Sequence, residues 1–152
     1  MLRPQLSQLL KDSLMAKDKE RLATLRLMLA ALKDRDIAER AKGNNEGIDE
    51  PAILQMLQSM IKQRQDSIEM YKKGGRQDLA VKEAQEIEVI QEFLPKQLSE
   101  EEMKSVISSA IEAQGAQSPK DMGMVMAVLK KEYVGQMDFS LASKLVREIL
   151  AS

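Results

Sequence analysis

Leucine, isoleucine and methionine recur along this chain at intervals of three and four residues, the spacing that keeps side chains on one face of a helix. Leu2, Leu6, Leu9, Leu10 and Leu14 predict a first amphipathic helix ending near Ala16 and Lys17. Asp18 is suited to cap a second, running to about Ala41 with a stripe of Leu22, Leu25, Met28, Leu29, Leu32 and Ile37. The join between them is so short that they must be antiparallel neighbours or sharply bent against each other. The run from Ala41 to Gly47 (AKGNNEG) combines two Gly with two Asn and is expected to be a mobile loop. Asp49 caps a third helix, with Pro51 tolerated in its first turn and Leu54, Leu57, Ile61, Ile68 and Tyr71 as its stripe. Gly74 and Gly75 close it.

The stretch from Asp78 to Pro95 predicts a fourth helix, with Asp78 as its expected N-cap, Leu79, Ile87, Ile90 and Phe93 on one face, and Pro95 as its stop. Beyond Pro95 the helices shorten. Ser99 followed by three glutamates fits a capping box, and Met103, Val106, Ile107, Ala110 and Ile111 carry the stripe to Gly115. Ser118 opens another helix, with Met122, Val125, Met126 and Leu129, broken at Gly135. The last begins near Asp138 and carries Ala142, Leu145, Val146, Ile149 and Leu150. No alternating pattern occurs, so the fold class is all-α. The expected division is a bundle of four longer helices over residues 1–95 and a small three-helix module over 96–152.

Composition sharpens this picture. Aromatics make up 3% of the 152 residues and Trp is absent, so the cores must be built from aliphatic side chains and from the 11 Met, which fill irregular gaps. With no Cys, disulfides and thiolate metal sites are excluded, and with no His the commonest general base and transition-metal ligand are missing. Gln5, Ser7 and Gln8 interrupt any signal-peptide pattern, and no apolar run is long enough to span a membrane, so no membrane partner and a cytoplasmic setting are expected. Net charge is −1, with 16 basic and 16 acidic residues before position 96 and 7 and 8 after it. That balance argues against strong non-specific polyanion binding and leaves local patches open.

Arg64 falls in a stripe with Leu57, Ile61 and Ile68, and Arg26 among Leu22, Leu25 and Leu29. A guanidinium turned toward a core needs a carboxylate, so Arg64 or Arg26 is expected to pair with Glu83 or Glu86 on the fourth helix. Those two glutamates share a face, but a carboxylate pair on one helix lacks the cleft that acid–base catalysis needs. Di-metal bundles require Glu-x-x-His, which is excluded here. No phosphate loop, nucleotide fingerprint or nucleophile elbow is present, so no catalytic residue, metal site or cofactor is assigned. The better candidate surface is basic: Lys120, Lys130, Lys131, Lys144 and Arg147 on the last two helices. Gly123 lies inside a helix there and suggests a close backbone approach, by a neighbouring helix or by a ligand.

Five runs carry a family resemblance in order along the whole chain: LRLMLAALK at 25–33, MIKQRQDSI at 60–68, GRQDLA at 75–80, FLPKQLS at 93–99 and KDMGMVM at 120–126. They resemble the YqeY family, whose members are similar to the helical tail of the B subunit of the glutamine-dependent amidotransferase acting on misacylated Glu-tRNA(Gln) or Asp-tRNA(Asn). The resemblance implies an all-α fold and a free-standing accessory module. Its candidate contact residues are Lys120, Gly123, Lys130, Lys131, Lys144 and Arg147. Implied partners are tRNA, amidotransferase subunits or an aminoacyl-tRNA synthetase. The family's label is carbon–nitrogen ligase with glutamine as amido-nitrogen donor. The amidase Ser-Ser-Lys centre and the phosphorylating domain have no counterpart here, so catalysis by this chain alone is not expected. The alternative from the residues themselves is a protein-interaction module using Met122, Met124 and Met126.

Overall fold

The computed structural model describes residues 1–152 as seven α-helices without a strand. They are α1 (Leu2–Met15), α2 (Lys19–Ala41), α3 (Glu50–Lys73), α4 (Gln77–Gln91), α5 (Glu100–Gln114), α6 (Met122–Glu132), entered by a 3₁₀ turn Pro119–Asp121, and α7 (Phe139–Ala151). The chain divides into two compact units, Met1–Leu94 and Pro95–Ser152.

In the first unit α2 packs against each of the other three helices, and α3 and α4 form the most extensive pair. The core joins Leu2 and Leu6 of α1, Leu25, Met28 and Leu32 of α2, Ile53, Met56, Leu57, Met60 and Ile61 of α3, and Ile87 and Ile90 of α4, with Phe93 just beyond it. Asp18 caps α2 by accepting from the Arg21 amide at 3.1 Å, and Asp49 caps α3 by accepting from the Ala52 amide at 3.0 Å. Between α3 and α4, Gly75 adopts a φ of +74°, and the Arg76 amide bonds back to the Tyr71 carbonyl at 2.8 Å. A left-handed residue at this point suits glycine, because it lacks a Cβ. Tyr71 is half-buried here.

Several details depart from the sequence pattern. Leu14 and Ile37 are 49% and 50% exposed, while Ser13 is buried: the stripes of α1 and α2 drift off the core toward the helix ends. Arg76, not Asp78, holds the N-cap position of α4. Asp78 lies within the first turn of α4, and its carboxylate takes two bonds from the Arg76 guanidinium, both 3.1 Å. α4 ends at Gln91, four residues before Pro95, in a tight turn where the Phe93 amide bonds the Ile90 carbonyl at 3.1 Å.

The loop after α2 is anchored rather than loose. Arg3 donates from Nη1 and Nη2 to the two Asp36 carboxylate oxygens at 2.6 and 2.7 Å, and from Nη2 to the Ile48 carbonyl at 2.8 Å. The Ile48 amide donates to Asp36 Oδ1 at 2.9 Å, and Asn44 donates to the Gly47 carbonyl at 2.9 Å. Gly47 is buried against this cluster with a φ of +84°. A Cβ there would overlap the Asp36 carboxylate and stand 2.9 Å from Arg3 Nη2.

The second unit is a three-helix arrangement in which α5, α6 and α7 all touch one another. Its core is Met103, Ile107 and Ala110 of α5, Val125 and Leu129 of α6, Met137, and Ala142, Leu145, Val146 and Leu150 of α7, with Tyr133 packed at the edge. Ser99 caps α5 by accepting from the Glu102 amide at 3.2 Å, and Asp138 caps α7 through the Ser140 amide at 2.8 Å. Asp121 Oδ2 gathers the Gln117 and Ser118 amides at 2.9 and 3.3 Å, ordering the entry to α6. Met122 and Met126 pack against this core, and of the three Met offered as an interaction surface only Met124 stands out, at 41% exposure.

Candidate nucleic-acid interface

A side chain already engaged in an ion pair is poorly available to a ligand, so the free cations are found by locating the occupied ones. In the first unit Arg64 donates from Nε to Glu86 Oε2 at 2.9 Å and from Nη1 to the carbonyl of Met60 at 3.1 Å, and Glu83 Oε2 lies 4.0 Å from the same Nε. Ala80, Glu83, Ile87 and Ile90 follow one another on the inward face of α4, which is why both glutamates meet a guanidinium rising from α3. Arg26 takes no part. It sits one residue after the buried Leu25, a rotation of about 100°, and is exposed. Arg21 makes a two-pronged pair with Glu92, at 2.8 and 2.5 Å.

Electrostatics follow this geometry. Hydrogen bonds from Arg3 hold the Asp36 carboxyl below its ordinary value against the opposing effect of burial, and the same bonds hold Arg3 above its own. Glu92 raises Arg21 in the same way. No group of three or more Asp, Glu, His or Cys stands close enough to hold a metal ion.

The second unit differs. Its one ion pair is Lys104 with Glu100, 3.7 Å apart and a single turn away on α5. Lys120, Lys130, Lys131, Lys144 and Arg147 are all exposed and none is ion-paired. On α6 the exposed positions Gly123, Ala127, Lys130 and Lys131 follow helical spacing, and Lys120 directly precedes them in the 3₁₀ turn. A Cβ built on Gly123 meets nothing within 4 Å, so no neighbouring helix requires this glycine. The result is a strip of bare backbone and one methyl group bordered by lysines. Lys144 and Arg147 share the exposed face of α7, one turn apart. The candidate cations therefore form two sets, one on each helix. Glu132 and Glu148, also exposed, moderate the positive charge of both.

Sequence reasoning missed Ala127 as a member of the strip, although its place four residues after Gly123 was the available signal. It also missed the clamp of Arg3, Asp36, Gly47 and Ile48, whose members lie far apart in sequence and share no periodicity.

Comparison with known proteins places the molecule. The chain matches the family model described as Yqey-like protein over residues 3–150. It is 38% identical over 85 residues to "Altered inheritance of mitochondria protein 41, mitochondrial" of Lachancea thermotolerans, a match taking in 56% of this chain and 43% of that protein. The protein of the same name from Vanderwaltozyma polyspora is 38% identical over 85 residues, covering 56% and 44%. That from Eremothecium gossypii is 35% identical over 89 residues, covering 59% and 46%. In each case the match spans a little under half of the relative's length. Since the family match runs nearly from end to end, the chain belongs to the YqeY family.

Proposed function

We propose that this protein is a binding module that contacts tRNA and assists tRNA-dependent amidation, in the manner of the amidotransferase tail it resembles, with the chemistry supplied by a partner enzyme. The observation that supports this reading best is the lysine-bordered strip of α6: Lys120, Lys130 and Lys131 are exposed without ion-pair partners, beside a glycine with open space above it. Unpaired cations beside accessible backbone can take phosphate oxygens without first breaking an internal bond, and each contact releases counterions. Lys144 and Arg147 on α7 extend the same chemistry. No helix is long and apolar enough to cross a membrane. The relatives above are named as mitochondrial proteins, and a cytoplasmic setting for this chain is part of the proposal.

The test is binding to deacylated tRNA across a salt titration. Affinity that falls linearly in a log–log plot supports a phosphate-contacting face, and the slope counts the contacts. Replacing Lys130, Lys131 and Arg147 together by Glu should abolish that binding. Unchanged affinity in this variant, or no binding of the parent protein at low salt, overturns the assignment.

A further inference from the structure

The longest stretch of unpaired positive charge lies elsewhere, on α2. Lys19, Arg26, Lys33 and Arg40 follow one another at intervals of seven residues, all exposed and none in an ion pair. Beside this row the solvent face of α2 carries Ala23, Leu27, Ala30 and Ile37, with Leu27 48% and Ile37 50% exposed. The outward face of a helix whose other side packs into a core is ordinarily polar. Here Ala23, Leu27, Ala30 and Ile37 fall on the three-and-four rhythm of a helix seam whose remaining position is held by Asp34, with cations along one flank and Glu20 beside Leu27 on the other.

On its basic flank this face continues into a groove of about 310 Å³ between α1 and the C-terminal half of α2. Leu29, Leu32 and Ile37 supply its apolar surface, and Lys33 and Arg40 its positive charge. Its one acid, Asp36, has both carboxylate oxygens bonded by Arg3; it attracts Arg40 at longer range and makes no ion pair with Lys33 or Arg40.

We propose that this face of α2 docks an amphipathic helix of a partner protein whose apolar seam is flanked on one side by acidic residues at seven-residue intervals. The repeat selects that occupant. Seven residues of helix advance about 10.5 Å, so a helix lying along α2 presents a carboxylate to each cation in turn while its seam covers Leu27, Ala30 and Ile37. A second copy of this chain fits poorly: antiparallel pairing of two α2 helices sets cation row against cation row, and parallel pairing sets Asp34 against Asp34 in the seam. A nucleic acid would engage the cations and leave the apolar row against phosphate.

The experiment titrates the isotope-labelled full chain with a synthetic three-heptad helical peptide bearing Leu at the seam and Glu along one flank, followed by amide resonances. A matched peptide with Lys in place of Glu and a short RNA duplex are run in parallel, and sedimentation tests self-association. The expected result is movement of α2 resonances by the acidic peptide alone. Lys33→Glu combined with Arg40→Glu should weaken that binding by about tenfold or more, and Ile37→Asp should remove it. If the charge reversal perturbs folding, Lys33→Gln with Arg40→Gln reads the same loss. No response to the acidic peptide, equal binding of the lysine peptide, RNA binding through this row, or self-association that these substitutions abolish would overturn the proposal. Because α6 and α7 are untouched in these variants, the outcome is independent of the tRNA reading.

Discussion

In the N-terminal unit three arginines reach across to carboxylates beyond their own helix: Arg3 to Asp36, Arg21 to Glu92 and Arg64 to Glu86. In the C-terminal unit the single ion pair stays within α5, and the parts are held together by apolar contacts and by bonds such as the Leu98 amide to the Gln136 carbonyl at 2.8 Å. The difference is one of availability. A guanidinium shared between helices fixes their spacing and is withdrawn from other uses, while a cation that fixes nothing can be given to a partner. The C-terminal unit keeps nearly all of its positive charge in the second form, and α2 keeps one row of it.

The N-terminal unit has most to lose at Gly47. Gly47→Ala forces a side chain into a left-handed backbone and against the Asp36 carboxylate, and should cost roughly 3 kcal/mol in urea unfolding through strain and loss of the Arg3 pair. Arg64→Ala leaves Glu86 without its partner and should cost about 2 kcal/mol. Replacing both by apolar residues, Arg64→Met with Glu86→Leu, should recover most of that loss, since burying a pair carries its own desolvation cost. A double-mutant cycle measures the coupling, and additive losses would show that the pair contributes nothing of its own.

Acid sharpens the contrast further. The Asp36 carboxyl is lowered in the folded state, so its contribution is complete above the ordinary carboxylate range and disappears as pH falls through the lowered value. Asp36→Asn should flatten that part of the acid-unfolding profile, and an unchanged profile would remove Asp36 from the account. Lys17 holds a φ of +57° between α1 and α2, and Lys17→Gly should add about 0.5 kcal/mol by relieving it. Smallest of all, Lys130→Glu should move stability by less than about 0.5 kcal/mol. A larger loss would mean that this lysine is structural after all.

The all-α class was legible because the apolar rhythm and the caps agree: Asp18, Asp49 and Ser99 each stand just ahead of a stripe, and each accepts an amide of the following turn. Asp78 was misread because α4 starts one residue ahead of it, so Arg76 takes the cap position and Asp78 serves the first turn from within. Arg26 was misread because a four-residue spacing tolerates a rotation of one position, and only the neighbouring helices decide which side faces inward. Gly123 left a neighbouring helix and a ligand both open because a glycine within a helix costs stability wherever it stands; that no helix lies against it is a tertiary fact. The clamp at Arg3 was invisible for a related reason, since its partners meet only once the loop has folded back.

Met28, Met56 and Met60 lie buried in one unit and Met103 and Met137 in the other, while Met1, Met15, Met70 and Met124 are exposed. Without cysteine, thioethers are the only sulfur the chain can offer an oxidant. Peroxide should convert the exposed set promptly and reach the buried set only when a core opens. Sulfoxide yields at Met56 and Met137, read by mass spectrometry, would thus time the opening of each unit separately. Since a sulfoxide is too polar to return to its old site, every such opening would also leave a lasting mark on the core that allowed it.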